Sequence, residues 1–166
     1  MDLARLAAEA LIFIFPAYCA NAMPVIAGGG RPLDFGRKFL DGKPIFGQNK
    51  TLRGFLAGLI VGTLVGSGET ALFGYHVLFG LALSSGALLG DLAGAFFKRR
   101  LGIAPGGLFP VIDQIDFALG AVLLSLLVSP PTMSVELFVM VLVITLPIHL
   151  ITNFAAYKLG LKSNPW

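Results

Sequence analysis

Long apolar runs alternate along this chain with short polar stretches, and the apolar runs have the length of a bilayer. A spanning helix needs ~20 mainly apolar residues. Five stretches predict such helices: about Leu3 to Ile26, Gly54 to Gly66, Ala71 to Phe97, Phe117 to Val128 and Val135 to Tyr157. Gly66-Ser67-Gly68-Glu69 is read as the break between the second and third, and Ser129-Pro130-Pro131-Thr132 as the break between the fourth and fifth. The second and fourth runs are short. With no helix breaker ahead of them, they are expected to extend back through Lys50–Arg53 and Asp113–Asp116. The expectation is an all-α polytopic membrane protein with about five transmembrane helices and two polar cytoplasmic loops, a single transmembrane domain over residues 1–166.

Composition sharpens this picture. Apolar residues make up 56% of the chain and charged residues 13%, against about a quarter charged in soluble domains. The net charge is +3, and once the apolar runs lie in lipid no extended basic surface remains for nucleic acid. The single cysteine, Cys19, excludes an intrachain disulfide. If the loop over 27–53 is cytoplasmic, so are 98–116 and the segment after the fifth span. That side then carries every Lys and Arg except Arg5, which places the N-terminus outside. A cleaved signal peptide is disfavoured, because Asp2, Arg5 and Glu9 sum to a negative charge.

The polar residues within the apolar frame suggest chemistry. Asp91 falls near the end of the third span, and an ionisable residue in a spanning helix is costly enough to mark a function. Steps of three or four residues from it reach Ala87, Ser84 and Gly80 one way, Gly94 and Lys98 the other. This face suits neighbouring helices or a cavity better than lipid. An interhelical ion pair with a nearby Lys or Arg is the plainer alternative. Asp113 and Asp116 share a helix face and repel each other unless a cation lies between them. With Asp91 they form a hard oxygen set suited to Mg²⁺, although the pair alone also suits a helix N-terminus.

Basic residues surround these carboxylates in sequence. Lys98-Arg99-Arg100 closes the third span, and Gly106 and Gly107 follow in a loop where backbone amides can approach an anion closely. The loop over 27–53 carries Lys43, Lys50, Thr51 and Arg53. It is not a P-loop, because Gln48 and Asn49 separate Gly47 from Lys50. Lys50 and Arg53 stand where a lipid phosphate would sit, or simply anchor the helix. Gly54, Gly58, Gly62 and Gly66 recur every four residues as a close-packing face. Asn21 either lines a polar site or bonds across helices, and His76 and His149 read as core or interfacial residues.

Three carboxylates with a ring of Lys and Arg at one membrane face are enough for phosphoryl or nucleotidyl transfer. An attacking phosphate oxygen is already ionised, so a catalytic histidine is not required. A cation or proton transporter using Asp91 is the alternative. The position of the carboxylates near helix ends and the lack of internal repeats weigh against it.

Gly90-Asp91-Leu92, Lys98-Arg99, Pro105-Gly106-Gly107 and Asp113-Gln114-Ile115-Asp116 together resemble the signature G-D-L, S-x-x-K-R, P-G-H-G-G, D-R-x-D of CDP-diacylglycerol synthases. Ala95 stands where that signature has serine, the histidine between the glycines is missing, and Gln114 replaces an arginine. The short five-span chain, with Pro16-Ala17-Tyr18, Asn21 and Lys50-Thr51-Leu52-Arg53-Gly54-Phe55, is similar to the archaeal branch, the CDP-archaeol synthases. The resemblance implies a cytidylyltransferase that joins CMP from CTP to an isoprenoid glycerol phosphate in the bilayer, with Mg²⁺ and release of pyrophosphate. It implies that Asp91, Asp113 and Asp116 serve the metal and nucleotide phosphates. Lys98, Arg99, Lys50, Thr51 and Arg53 are implied to hold CTP or the lipid phosphate, with Arg100 as the candidate substitute for the missing arginine.

Overall fold

The computed structural model describes residues 2–128 and 133–166. Its elements are α1 (Leu3–Ala27), α2 (Leu52–Phe73), α3 (Phe79–Arg100), α4 (Ile112–Val128) and α5 (Val135–Lys158). The all-α polytopic reading holds. Helices α1, α2, α3 and α5 are long and apolar enough to cross a membrane, while α4 has 17 residues. A helix satisfies its own backbone hydrogen bonds, which the hydrocarbon interior demands.

Helix starts are set by local chemistry. The Asp2 carboxylate accepts from the Ala4 amide at the head of α1, Thr51 Oγ1 accepts from the Gly54 amide at the head of α2, and Ser134 Oγ accepts from the Leu137 amide at the head of α5. The expected backward extension of the fourth span through Asp113 is present. That of the second span stops at Leu52, because Thr51 is the extended capping residue and Lys50 lies outside the helix.

The predicted break at residues 66–69 is wrong. These residues are helical and α2 continues to Phe73, where Gly74 (φ 73°) closes it with its amide bonded to the Thr70 carbonyl. The misread glycine belongs to a packing surface. Gly54 lies against Pro24, Gly58 against the Ala20 carbonyl, Gly62 against Ser84 Oγ and the Pro16 carbonyl, and Gly66 directly against Gly80 Cα. The glycine face thus seats α2 on α1 and α3 by backbone contact. The break predicted at 129–132 lies outside the described residues.

Helices α3 and α4 meet the same way, with Gly86 against the Gly120 carbonyl and Gly90 against the Asp116 carbonyl. Phe13, Phe79, Phe117, Leu83 and Val141 fill the centre of the bundle. A hydrogen bond of 2.8 Å between the Tyr18 hydroxyl and Thr145 ties α1 to α5.

Candidate functional site

A cavity of about 400 Å³ opens among α1, α3, α4, α5 and both long loops. Asp91, Asp113 and Asp116 all line it, so residues from two helices and one motif converge as the sequence suggested. Lys50, Lys98, Arg99, Asn21, Gly106 and Gly107 line it as well. Because α3 runs on to Arg100 rather than ending at Phe97, Asp91 sits well inside the helix, about 13 Å along the axis from that end.

Each carboxylate is held differently. Lys50 Nζ lies 2.6 Å from both oxygens of Asp91, so the ion pair weighed from sequence is present, but its lysine comes from the first loop and not from a neighbouring helix. Lys98 Nζ lies 2.8 and 3.0 Å from the oxygens of Asp113, one of which also accepts from the Phe109 amide. Asp116 forms no salt bridge among the described residues. One of its oxygens accepts from the Phe117 amide, and the other faces Gly94, where only a glycine leaves room for it. No three acidic, His or Cys side chains among the described residues stand as a ready ligand cluster, and Lys50 and Lys98 occupy two of the carboxylates.

Arg99 is buried at 5% exposure, yet its Nε and Nη1 find no hydrogen-bond partner among the described residues; only Nη2 donates, 3.3 Å to the Ala104 carbonyl. A buried guanidinium with free donors is costly. It faces the same cavity as the three carboxylates.

Four sequence candidates fall elsewhere. Lys43 Nζ donates to the Arg100 carbonyl at 2.9 Å, Thr51 caps α2, and Arg53 is exposed beside the cap. Arg100 is not in the cavity wall. It pairs with Asp41 at 2.8 Å, donates to the Pro44 carbonyl at 2.6 Å and lies over the rings of Phe39 and Phe96. It therefore pins the first loop to α3, and the substitute-arginine reading finds no support in its placement.

Several cavity residues escaped the sequence reading. His149 and Asn153 of α5 form part of the wall; His149 stacks on Phe117, and the Asn153 amide approaches its ring nitrogens at 3.2 and 3.3 Å. Lys162, Asn164 and Trp166 reach the cavity from the segment after α5. Burial, together with repulsion from Lys50 and Lys98, holds the Lys162 amine down to about 8 against the opposing pull of Asp113 and Asp91. Asp34 shapes the first loop. Its oxygens accept amides from Gly36 at 2.9 Å and from Phe46 and Gly47 at 3.0 Å, which places Phe46 and Gly47 in the wall. Burial works against that charge, but these amides outweigh it and hold the carboxyl below its usual range. The legible signal was Asp34 two residues before Gly36, an Asx-turn pattern.

A multi-pass bundle whose polar cavity sets carboxylates against Lys and Arg defines a membrane-embedded transferase acting on phosphate groups. A family model described as "CarS-like: CDP-archaeol synthase" matches residues 3–166. A CDP-archaeol synthase of Pyrococcus furiosus is 47% identical over 165 residues, covering 95% of this chain and 97% of its own. One from Methanospirillum hungatei is 43% identical over 166 residues, covering 92% and 100%. A solved structure, of an intramembrane enzyme for archaeal membrane lipid biosynthesis, superposes with a TM-score of 0.81 at 41% identity, covering 87% of this chain and 92% of that one. The chain belongs to the CarS-like CDP-archaeol synthase family and is a membrane cytidylyltransferase of archaeal lipid synthesis. The transporter reading gains no support.

Proposed function

We propose that this cavity performs Mg²⁺-dependent transfer of CMP from CTP to digeranylgeranylglyceryl phosphate, an isoprenoid glycerol phosphate, giving CDP-archaeol and pyrophosphate. The observation that carries the site assignment is Arg99, a buried guanidinium with unsatisfied donors facing three carboxylates. Such a group calls for an anion with several oxygens, as a triphosphate has.

Asp91, Asp113 and Asp116 are hard oxygen donors lining one cavity and are the residues that would hold Mg²⁺, although among the described residues no three such side chains stand ready-clustered for it. The bound ion supplies neutralisation of the triphosphate charge. Lys50 and Lys98, which pair with Asp91 and Asp113 in the structure, would turn to phosphate oxygens together with Arg99 were those carboxylates to hold the ion. The wall holds four cationic side chains, Lys50, Lys98, Arg99 and Lys162, against the three carboxylates, and favours a polyanion. An oxygen of the lipid phosphate attacks the α-phosphorus of CTP. The new P–O bond forms as the bond to the bridging oxygen breaks, and pyrophosphate leaves. The nucleophile enters as an anion, so no side chain need remove its proton. Asn21, Asn153 and His149 lie on the α1 and α5 side of the cavity and orient the acceptor. The cavity faces the cytoplasm and the N-terminus lies outside, in keeping with the one-sided Lys and Arg.

The test supplies purified protein with radiolabelled CTP, Mg²⁺ and digeranylgeranylglyceryl phosphate, and follows label into the organic phase. Label that requires Mg²⁺ and Asp116 supports the reading. Transfer that persists in Asp116→Asn overturns the site, and no transfer by folded protein overturns the reaction.

A further inference from the structure

The segment after α5 folds back over the cavity. Asn164 Nδ2 and Trp166 Nε1 both donate to the same acceptor, the Gly106 carbonyl, at 3.1 and 3.0 Å. Gly106 takes a left-handed conformation (φ 81°) in the loop between α3 and α4, which turns its carbonyl toward the segment. Within the segment, Lys162 Nζ donates 2.6 Å to the Trp166 backbone oxygen. Beyond the helix end, these are the side-chain bonds that tether residues 159–166 among the described residues.

Lys162 is placed unlike the other basic residue nearby. Lys158, one turn earlier, is exposed and lies over the Phe154 ring. Lys162 instead lines the cavity between the two loops, with Lys50 and Lys98 as cationic neighbours and Asp91 and Asp113 as anionic ones. It forms no salt bridge among the described residues. A half-buried lysine lining the cavity with two other cations, whose one hydrogen bond is to the Trp166 oxygen of its own segment, can exchange that oxygen for an arriving anion.

We infer that residues 159–166 form a strap that closes over the nucleotide, and that Lys162 is its phosphate-contacting residue. The inference rests on CTP occupying this cavity. The strap is latched by one carbonyl and so can reseat when Lys162 exchanges the Trp166 oxygen for a phosphate oxygen. Trp166 moves with it. It is the one tryptophan in the chain, so its emission reports the strap without any turnover.

The experiment is a CTP titration of Trp166 fluorescence in the full-length protein with Mg²⁺ and no lipid, run beside the turnover assay. Wild type should show a saturable change. Lys162→Ala should shift its midpoint at least about 10-fold to higher CTP, as loss of one charged hydrogen bond would. Lys162→Arg should restore most of it, and Lys158→Ala should leave it in place. Asn164→Ala with Trp166 retained should weaken the latch and change the emission of the free protein. An unshifted midpoint in Lys162→Ala, or a shift that arginine does not rescue, overturns the role of Lys162. An emission that ignores CTP in protein that turns CTP over overturns the strap. Absence of turnover in wild type points instead to failure of the underlying reaction assignment.

Discussion

Lys50 Nζ sits 2.6 Å from both carboxylate oxygens of Asp91, although 41 residues separate them in sequence. The pair joins the first loop to the interior of α3, and each partner also faces the cavity. Asp91→Asn is expected to lower kcat by about 100-fold or more, the scale seen on removing an electrostatic contributor in a preorganised site. Lys50→Gln is expected to lose activity as well. The double variant should lose little more than the worse single one, because the two act as a unit. Steady-state kinetics on the three proteins check this.

The glycine face of α2 makes a stability prediction with a built-in contrast. Gly66→Val would drive a side chain into Gly80 Cα and is expected to cost about 3 kcal/mol or more, or to prevent folding. Gly68 is two residues on and has open space where a Cβ would stand. Gly68→Ala is expected to be neutral or to stabilise by about 0.5–1 kcal/mol through helix propensity. Thermal unfolding in detergent separates the two.

Asp34 organises the first loop through three amide donors. Asp34→Ala leaves them without their acceptor, at an expected cost of about 2 kcal/mol. Its carboxyl is held below the ordinary value. Its stabilising contribution is therefore present above the unfolded value and is lost as pH falls through the folded one. Limited proteolysis of the 28–51 loop should accelerate in acid in the wild type. In Asp34→Ala the loop should be sensitive already at neutral pH.

Lys162 predicts the opposite end of the pH scale. With its amine lowered to about 8, it is charged below that pH and loses charge above it. KM for CTP is expected to rise as pH passes about 8, and Lys162→Arg should flatten that rise. Fold stability runs the other way. The unfolded lysine, at about 10.5, binds more protons between these values, so this group's contribution to stability increases with pH there.

Membrane orientation is testable at Leu40, which is 96% exposed in the first loop. In a Cys19→Ser background, Leu40→Cys should react with an impermeant thiol reagent only from the cytoplasmic side. Labelling from outside would invert the topology.

Much of this was legible because the bilayer imposes a coarse code. Apolar runs gave all five helices, and the acidic and basic motifs gave the three carboxylates of the cavity wall and three of its four cationic side chains. The errors have physical causes. Gly-Ser-Gly-Glu looked like a turn because glycine breaks helices in water, whereas in α2 it is where two backbones touch. Arg100 looked like a phosphate ligand, but Asp41, Phe39 and Phe96 claim it, and no local pattern announces such long-range partners. Lys162 and Asn153 depend on how α5 and its following segment return to the bundle, which periodicity does not encode.

The depth of Asp91 along α3 determines which substrate has to travel. A lipid lifted into water would expose its chains at about 0.8 kcal/mol for each methylene. A carboxylate set below the rim of the bundle removes that need. If CTP and the lipid phosphate meet at these carboxylates as proposed, the nucleotide descends as an ordinary solute, the lipid stays at its own level, and pyrophosphate retraces the aqueous path. On that proposal the protein works as a well sunk into the membrane, with the water-soluble partner making the whole journey.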